Sequence, residues 1–269
     1  MPLVVCATPI GNLDDVTLRV LAALRDADLV LAEDTRHTAR LLARHGIRAP
    51  LLSYHEHNEA GRVGELLPRL HAGEQVALVT DAGMPAVSDP GARLIRAAID
   101  AAVPVTVLPG PSAVETALVA SGFADAGYTF VGFLPRRDAD RAALWDTLRH
   151  VPGAIVAFES PRRLPATLRS LARAAPARRV AVCRELTKRF EEVLRGTAEE
   201  LAARFDEPPK GEVTLVLEAD RASARQPDAT TAAVAVAELV AGGSSRSTAA
   251  AVVARLTGIP RNELYRRTL

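Results

Sequence analysis

Short apolar runs alternate with amphipathic segments through the first half of the chain. The run Leu3–Ala7 predicts a buried strand, and Thr17–Ala27 places leucines at the spacing of a helix. The alternation continues to residue 120, and the predicted elements are strands Leu29–Ala32, Val76–Thr80 and Val105–Leu108 and helices Thr38–His45, Ala92–Ala102 and Ala113–Ala120. Strands that alternate with helices favour an α/β fold with a mostly parallel sheet.

The second half repeats this pattern less regularly. Its predicted strands are Thr129–Gly132, Gly153–Phe158, Arg179–Cys183, Glu191–Leu194 and Glu212–Glu218. Its predicted helices are Arg137–Arg149, Leu164–Ala174 and Thr197–Phe205. We therefore expect two α/β lobes, an N-terminal lobe of residues 1–120 and a C-terminal lobe of residues 121–220.

The last part of the chain, residues 221–269, has a different pattern. A polar stretch at residues 219–228 is typical of a linker. Three short helices are predicted after it: Ala233–Ala241, a second that Ser247 or Thr248 caps and that ends at Leu256, and Arg261–Thr268. Short helices joined by tight glycine turns resemble a helix-turn-helix bundle.

Composition narrows the class of protein. The chain has 269 residues, of which 48% are hydrophobic, so it can bury a sizeable core. No apolar run approaches the roughly 18 residues that span a bilayer, and the first residues lack the basic region of a signal peptide. The two cysteines, Cys6 and Cys183, form no disulfide framework. We expect a cytoplasmic protein, and membrane, secreted and disordered classes are disfavoured.

The net charge of +1 averages over regions that differ. Residues 1–110 carry 10 basic and 13 acidic side chains, residues 111–220 carry 16 of each, and residues 221–269 carry 7 basic and 3 acidic. Arg accounts for 31 of the 33 basic residues, and the two lysines are Lys188 and Lys210. Codon bias is the simplest explanation, but a site that needs a compact, titratable ammonium would also retain lysine.

Three strand-to-helix loops are rich in glycine, proline and small polar residues: Thr8–Asp15, Thr80–Pro85 and Pro109–Ala113. The carboxyl ends of parallel strands meet at one edge of the sheet, where such folds bind ligands. None of these loops matches GxGxxG or GxxxxGK[ST], so neither a dinucleotide site nor a P-loop is indicated. Each loop alone is an ordinary turn, but three at one edge predict a small-molecule pocket.

Two polar clusters leave alternatives open. Residues 33–37 (EDTRH) suit substrate binding or acid–base chemistry, and they equally fit a helix start with an ion pair. Residues 55–57 (HEH) contain metal-binding side chains, but no HExxH pattern or third clear ligand accompanies them. A polar loop is favoured there, and we expect no metal.

Charged motifs in the second half lie near predicted strand ends. Residues 159–163 read ESPRR, residues 184–192 read RELTKRFEE, and residues 210–212 read KGE. The long run fits an exposed ion-pair ladder, and KGE fits a turn into the last strand. Both lysines fall inside these motifs, which favours a functional role for Lys188 and Lys210.

Seven motifs occur in a fixed order: TPIGNLDDVTLRVLAALRDADLVLAEDTRHTARLL, TDAGMPAVSDPG, LPGPSA, FVGFLPR, ESPRRL, RELTKRFEE and KGE. Together they closely resemble the RsmI family of bacterial 16S ribosomal RNA 2′-O-ribose methyltransferases, within the tetrapyrrole methylase-like superfamily. The resemblance covers about residues 3–218. The tail resembles the helical C-terminal extension of that family with less specificity.

The resemblance implies a two-lobed α/β fold of the tetrapyrrole methylase-like type (a class III methyltransferase) with a small helical C-terminal extension. It implies an enzyme that binds S-adenosyl-L-methionine between the lobes and forms a homodimer. The implied reaction is 2′-O-methylation of a cytidine in the decoding region of 16S rRNA in the small ribosomal subunit, cytidine 1402 in conventional numbering.

The resemblance also implies roles for individual residues. The expected cofactor-binding residues are Asp81, Ala82, Gly83, Pro109, Gly110, Ser112, Ala113, Phe130, Phe133, Leu134, Lys210, Gly211, Glu212 and Thr214. The expected substrate-binding residues are Thr8, Pro9, Gly11, Asn12, Arg36, Arg162 and Arg246. The candidates around the 2′-hydroxyl are Lys188, Glu185, Glu159 and Arg36. We expect Glu185 or Lys188 to accept or stabilise the proton and Arg36 to bind phosphate.

Two other functions remain open from the sequence. One is a tetrapyrrole (precorrin-type) C-methyltransferase on the same fold, against which the RELTK motif and the basic tail argue. The other is a non-catalytic ribosome assembly factor that retains a cofactor pocket. The polar residues Glu159, Glu185 and Lys188 disfavour this second alternative.

Overall fold

The computed structural model describes residues 2–124, 127–149, 151–219 and 229–268. These residues form two compact units. The first unit contains the chain up to Leu148 together with Gly153–Glu218, and the second contains residues 149–152 and the tail. The predicted linker, residues 219–228, lies outside the described residues except for Ala219.

A five-stranded parallel sheet makes up the first half of the first unit. Its strands are β1 (Leu3–Cys6), β2 (Leu29–Ala32), β3 (Leu51–Ser53), β4 (Val76–Val79) and β5 (Val105–Leu108). Its helices are α1 (Leu18–Asp26), α2 (Thr35–Arg44), α3 (Glu59–His71) and α4 (Ala92–Asp100), and a 3₁₀ turn covers Leu13–Asp15.

The strand order of this sheet is β3-β2-β4-β1-β5, and every neighbouring pair is parallel. Successive side chains of β1 point to opposite faces: Leu3 and Val5 pack with α3 and α4, and Cys6 packs with α1 and α2. The predicted parallel α/β sheet is therefore confirmed. The strand order reverses between β1 and β4, and such a switch point places their following loops at a ligand-binding edge.

The sequence pattern predicts neither β3 nor α3. β3 has only three residues, and α3 contains Pro68 and two glycines, which weaken a helical pattern. Burial of Leu66 and Leu70 against the sheet holds α3 in place. His55 and His57 lie in the turn before α3, and the described residues contain no group of three His, Cys, Asp or Glu suited to a metal ion.

A second five-stranded sheet follows in the same unit. Its strands are β6 (Tyr128–Phe133), β7 (Ala154–Glu159), β8 (Arg179–Arg184), β9 (Glu192–Thr197) and β10 (Val213–Leu217). Its helices are α6 (Asp138–Leu148), α7 (Leu164–Ala174) and α8 (Ala198–Arg204). The strand order is β6-β7-β10-β8-β9.

The second sheet corrects the expectation of a repeated parallel arrangement. Only β6 and β7 pair in parallel, and the other neighbouring strands of this sheet, as described, are antiparallel. β8 and β9 are joined by a short loop without a helix, and so short a connection permits only an antiparallel pair. The loop, residues 185–191, carries the RELTK motif.

A helix from the first half packs on the second sheet. In α5 (Ala113–Ser121), the side chains of Val114, Ala117 and Leu118 are buried against β7, β8 and β10. Ile10, from the loop after β1, joins the same cluster. Residues from the first half of the chain thus complete the core of the second sheet. A lobe boundary at residue 120 stays a prediction.

The second unit contains three helices, α9 (Ala229–Ala241), α10 (Arg246–Thr257) and α11 (Arg261–Arg267). They pack around a small core of Ala232, Val236, Ala249, Ala250, Val253 and Leu264. The N-cap of α10 is Ser245, whose Oγ accepts a hydrogen bond from the Thr248 N–H at 3.1 Å, so the predicted cap at Ser247 or Thr248 is wrong. Within the described ranges, no helix has the length and apolar content to cross a membrane.

Candidate functional site

The loops after β1, β4 and β5 meet at one edge of the parallel sheet, as the sequence predicts. The backbones of Thr8 and Gly83 exchange two hydrogen bonds, of 2.8 and 3.0 Å. Gly110 lies against the end of β1, because a Cβ at this position would come within 2.9 Å of the Ala7 Cβ. The three loops therefore form one continuous surface.

This surface is one side of a cavity of about 480 Å³ between the two sheets, a size that is ordinary for a small-molecule site. The residues on the side of the first sheet and α5 are Ile10, Glu33, Asp81, Ala82, Gly83, Met84, Val87, Ser88, Asp89, Ser112, Ala113 and Val114. The residues on the side of the second sheet are Phe133, Phe158, Glu159, Ser160, Pro161, Cys183, Leu186, Glu212, Val213 and Thr214.

A second depression, of about 770 Å³, lies between α2 and β3. It is larger but open, and Arg48 is the one ionisable side chain among its described lining residues. The depression lacks convergent polar groups, so the cavity between the sheets is the candidate site.

Three carboxylates line the first side of the cavity: Glu33, Asp81 and Asp89. The Asp81 N–H donates to Glu33 Oε2 at 3.3 Å, and the Asp34 N–H donates to Asp81 Oδ1 at 3.1 Å. Among the described residues, no basic side chain forms an ion pair with any of the three. This side of the cavity therefore presents negative charge that is available to a cationic ligand.

The pKa values of two of these carboxylates reflect their confinement. Burial raises the pKa of Glu33. Burial, with the negative charges of Glu33 and Asp81, raises the pKa of Asp89 to about 7. Asp89 therefore changes charge in the physiological range.

Lys188 forms the centre of a cluster on the second side. Its Nζ lies 2.9 Å from Glu185 Oε1 and 3.0 Å from Glu212 Oε2. The Glu212 N–H also donates to Glu185 Oε1 at 2.9 Å. Since Glu212 lines the cavity, the cluster places an ammonium group at its edge, and it joins the RELTK and KGE motifs as one structure.

The electrostatics of this cluster decide which role Lys188 can take. Partial burial alone would lower the pKa of Lys188, but hydrogen bonds to Glu185 and Glu212 outweigh it and raise the pKa. Hydrogen bonds from the Glu212 N–H and from Lys188 lower the pKa of Glu185. Both groups are therefore charged at neutral pH, so in this arrangement Lys188 can stabilise negative charge but neither group is poised to accept a proton.

Two glycines allow the backbone to approach this cluster. A Cβ at Gly211, whose φ is +89°, would come within 2.4 Å of the Glu185 side chain. A Cβ at Gly11 would come within 2.5 Å of Lys188 Cγ and 2.7 Å of Thr187 Oγ1. The loop after β1 therefore packs directly on the RELTK loop, and neither position has room for a side chain.

Glu159 is buried and paired, and the catalytic role that the resemblance implies for it stays a prediction. Its side chain is fully buried although it borders the cavity. Oε1 accepts from the Ser160 N–H at 2.6 Å and pairs with Arg163 at 2.5 Å, and Oε2 accepts from the Thr167 hydroxyl at 2.5 Å. Because both oxygens are engaged by the start of α7, the carboxylate fixes that helix to the end of β7.

Arg36 lies apart from the Lys188 cluster with which the sequence groups it. Its side chain is 86% exposed and pairs with Asp34 at 2.6 Å, while the Asp34 side chain caps the start of α2. Hydrogen bonding to Asp34 and its negative charge raise the pKa of Arg36, and the negative charge of Asp81 in the cavity wall adds to this effect. The structure therefore bears out the ion-pair reading of residues 33–37 and leaves Arg36 accessible at the rim.

The predicted cofactor-binding residues fall into two groups. Those in the cavity wall are Asp81, Ala82, Gly83, Ser112, Ala113, Phe133, Glu212 and Thr214. Those outside the wall are Pro109, Gly110, Phe130, Leu134, Lys210 and Gly211. Leu134 is buried, and Lys210 is exposed, with its carbonyl accepting from Arg184 at 2.5 Å. Gly110 and Gly211 act on the site through the close approaches described above.

The predicted substrate-binding residues are also divided. Thr8 and Pro9 are buried, and the Thr8 hydroxyl donates to the Thr80 carbonyl at 3.0 Å, so their role is to join the loops. Gly11 and Asn12 are exposed beside the RELTK loop. Arg162 is exposed next to the wall residue Pro161, and Arg246 is the first residue of α10 in the second unit.

Glu33 and Asp89 line the cavity but are not among the site residues that the resemblance implies. Glu33 directly follows β2 at the same carboxyl edge, and Asp89 lies in the loop after β4, so the rule that located the other loops applies to both. Phe158, Cys183 and Leu186 have no such signal, because antiparallel pairing in the second sheet brings them to the cavity.

Comparison with known proteins identifies the families that the two parts of the chain match. Residues 2–202 match the family model described as Tetrapyrrole (Corrin/Porphyrin) Methylases. Residues 227–269 match the model described as RsmI C-terminal HTH domain. Both units therefore have family counterparts.

Relatives of similar length carry one name, Ribosomal RNA small subunit methyltransferase I. The relative from Micromonospora olivasterospora is 44% identical over 96% of this chain and 83% of its own length. The relative from Synechocystis is 42% identical over 98% of this chain and 95% of its own length. The relative from Thermotoga maritima is 45% identical over 80% of this chain and 97% of its own length.

Solved structures support the fold. A uroporphyrin-III C-methyltransferase from Thermus thermophilus, complexed with S-adenosylhomocysteine, has a TM-score of 0.57 at 18% identity and covers 80% of this chain and 96% of its own. The cobalt precorrin-4 methyltransferase has a TM-score of 0.60 at 22% identity and covers 80% and 94%. The chain is a methyltransferase and belongs to the ribosomal RNA small subunit methyltransferase I family of the tetrapyrrole methylases.

Proposed function

We propose that this protein transfers a methyl group from S-adenosyl-L-methionine to the ribose 2′-oxygen of a cytidine in 16S rRNA, cytidine 1402 in conventional numbering. The family supports an rRNA substrate in the small ribosomal subunit, because the relatives carry that name. The observation that carries the proposal is the Lys188–Glu185–Glu212 cluster at the edge of the cavity. It holds the Lys188 ammonium, between two carboxylates, where a hydroxyl oxygen would lose its proton.

The cavity fits S-adenosyl-L-methionine in size and in charge. The donor carries positive charge on its sulfonium and its amino group, and Glu33, Asp81 and Asp89 supply carboxylates that form no ion pair within the described residues. The first turn of α5, at Ser112 and Ala113, presents backbone N–H groups suited to the carboxylate of the donor. When bound, the donor supplies the methyl group on its sulfonium.

The residues of the chain contribute orientation and electrostatics to this reaction. The cavity walls hold the donor, and the RELTK loop holds Lys188 at the cavity edge. The Lys188 ammonium stabilises the negative charge that develops on the 2′-oxygen as it becomes nucleophilic. Because Lys188 and Glu185 are both charged, the proton leaves to solvent in this scheme.

The RNA side of the proposal rests on arginines. Arg36 and Arg162 are exposed near the cavity, and Arg189 is exposed on the RELTK loop. The second unit adds the basic residues Arg246, Arg255, Arg261, Arg266 and Arg267. Such side chains bind phosphate, and affinity should therefore fall steeply with salt. The proposal includes a cytoplasmic homodimer.

Locating the transferred methyl group tests the proposed function. The purified protein is incubated with radiolabelled S-adenosyl-L-methionine and either small ribosomal subunits that lack the modification or a reduced tetrapyrrole. We expect label in 16S rRNA at one cytidine, in a linkage that resists alkaline cleavage because the 2′-oxygen is blocked. Label on a base or on the tetrapyrrole would overturn the proposal, and binding to the subunit without transfer would favour an assembly factor.

A further inference from the structure

Phe190 is a large apolar side chain at the surface of the RELTK loop. It is 71% exposed, and it lies between Arg189 and Glu191 in the connection from β8 to β9. A single exposed phenylalanine is ordinary on a protein surface. The backbone conformation and the neighbours of Phe190 indicate that this exposed side chain has a function.

The loop that carries Phe190 is held in a strained conformation. Glu185 and Thr187 have positive φ angles, of +50° and +65°, which are unfavourable for residues other than glycine. Such a conformation persists only where other contacts determine it. Here the Thr187 N–H donates to Glu191 Oε2 at 2.6 Å, and the Asn12 N–H donates to Thr187 Oγ1 at 3.0 Å. The segment is therefore fixed before any substrate arrives.

The same loop borders the cavity on its inner side. Leu186 is part of the cavity wall, and the Lys188 ammonium is bound to the wall residue Glu212. Phe190 follows Lys188 by two residues, and the Glu191 N–H closes a turn on the Lys188 carbonyl at 3.1 Å. Phe190 is thus an exposed side chain on the loop that holds the ammonium, at a backbone position that this turn fixes.

The chemistry around the ring matches one class of ligand. The Arg189 guanidinium lies over the Phe190 ring, 5.5 Å from its centroid, and it is exposed. An aromatic face beside an arginine binds an unstacked nucleobase and its phosphate, the arrangement by which proteins recognise single-stranded RNA. Phenylalanine offers no hydrogen bond, so it would position a base without reading its identity.

We propose that Phe190, with Arg189, is a stacking platform for an unstacked nucleobase of the RNA at the methylation site. The platform holds the nucleotide so that its ribose faces Lys188 and the cavity. Phe190 is a positioning residue, because it acts on the base and not on the reacting atoms. This inference rests on the proposed function, from which it takes the RNA substrate.

Steady-state kinetics on unmodified small subunits provide the first test. Phe190→Leu keeps an apolar side chain but removes the aromatic face, and we expect KM for subunits to rise by about 5- to 100-fold, since that is the range for loss of one stacked base. Phe190→Tyr should restore most of the affinity. The Kd for S-adenosyl-L-methionine and the melting temperature should not change. As a control, Ile99→Leu alters an exposed apolar residue at the end of α4, and its KM should match that of the wild type.

Site-specific photocrosslinking provides the second test and identifies the contact. The photoreactive amino acid p-benzoylphenylalanine replaces Phe190 in one variant and Ile99 in the control. We expect the first variant alone to crosslink to 16S rRNA, at or next to the methylated nucleotide. A crosslink to a second copy of this chain, or an unchanged KM in Phe190→Leu, would overturn the inference. If the wild type transfers no methyl group to subunits, the proposed function fails instead, and the crosslink decides separately whether RNA contacts Phe190.

Discussion

The acidic side chains on the two sides of the cavity differ in whether they form ion pairs. On the side of the parallel sheet, Glu33, Asp81 and Asp89 have no ion-pair partner among the described residues. On the side of the second sheet, Glu159 is paired with Arg163 and Glu212 with Lys188. The first side keeps charge available for a ligand, whereas the second uses charge to fix its own loops.

This difference separates binding from positioning. A cationic donor supplies the partner that the first side lacks, so the strength of donor binding depends on those carboxylates. The paired charges of the second side are already satisfied and therefore hold Lys188 and the RELTK loop in place. Changes on the two sides should accordingly move different measured quantities.

The largest effect is expected from removing the ammonium of the second side. Lys188→Met keeps the length of the side chain but not its charge, and we expect kcat to fall by about 10²- to 10³-fold, as when one group that stabilises a developing anion is lost. Single-turnover rates on small subunits measure this. The Kd for S-adenosyl-L-methionine should change little.

A surface arginine serves as the control for this variant. Arg96→Met removes an exposed positive charge from α4, and its single-turnover rate should equal that of the wild type. A Lys188→Met rate within threefold of the wild type would remove Lys188 from the mechanism.

The next effect is on stability and tests the structural role of Glu159. Glu159→Gln leaves Arg163 without its buried partner, and we expect the free energy of unfolding to fall by about 2–4 kcal/mol. Urea unfolding followed by the fluorescence of Trp145, which is buried, measures this. Glu65→Gln breaks the more exposed pair with Arg62 and should cost at most about 1 kcal/mol. A loss of kcat without a loss of stability in Glu159→Gln would restore a catalytic role.

A matched pair of glycines tests how closely the KGE turn approaches the cluster. Gly211 and Gly73 both have φ of +89°, but a Cβ would collide with Glu185 at Gly211 and meet nothing within 4 Å at Gly73. We expect Gly211→Ala to lower kcat by about 10- to 100-fold, because a small displacement of the cluster misplaces Lys188. Gly73→Ala should cost only about 1–2 kcal/mol of stability through its backbone. Equal kcat values in the two variants would contradict this account.

The smallest effect concerns pH and the first side of the cavity. Because the pKa of Asp89 is raised to about 7, the residue is neutral below that pH and negative above it. Affinity for S-adenosyl-L-methionine should therefore rise by about 3- to 10-fold between pH 6 and pH 8. Isothermal titration calorimetry measures this rise, and Asp89→Asn should abolish it. S-adenosylhomocysteine, which lacks the sulfonium charge, should show a weaker dependence.

Stability should respond to pH in the opposite direction. Between about pH 4 and pH 7 folded Asp89 retains a proton that the unfolded chain has released, so this residue favours folding at low pH. Its contribution is lost as pH rises through 7. The wild type should thus lose melting temperature relative to Asp89→Asn between pH 5 and pH 8. A constant difference between the two would show that Asp89 does not titrate in this range.

The local pattern predicted four of the five strands of the first sheet, β3 being the exception, because the determinants of those four strands are local. β2 and β4 are continuous apolar runs buried on both faces, and their loops follow from strand direction alone. The resemblance to a family then supplied roles for loop residues such as Asp81 and Gly83, which line the cavity. Asp89 lies in the same loop and in the TDAGMPAVSDPG motif, but the resemblance gave it no role.

The second sheet depends on contacts between residues distant in sequence. The antiparallel order of β7, β10 and β8 brings Phe158, Cys183 and Thr214 to one wall, which periodicity does not reveal. Charge pairing is also absent from the local pattern. The sequence places Glu159 among the candidates around the 2′-hydroxyl, but it does not reveal the contacts with Arg163 and Thr167. The pairing of Lys188 with Glu212 likewise joins residues that are distant in sequence.

The position of β1 in the parallel sheet has a consequence for synthesis of the chain. Leu3 pairs with Val76 on one side and with Val105 on the other, so β1 leaves the ribosome well before either of its neighbouring strands. At about 5–20 residues per second, both edges of β1 stay open for several seconds. The nascent chain therefore exposes an apolar strand edge until β5 has emerged, a period in which chaperone capture would compete with sheet closure.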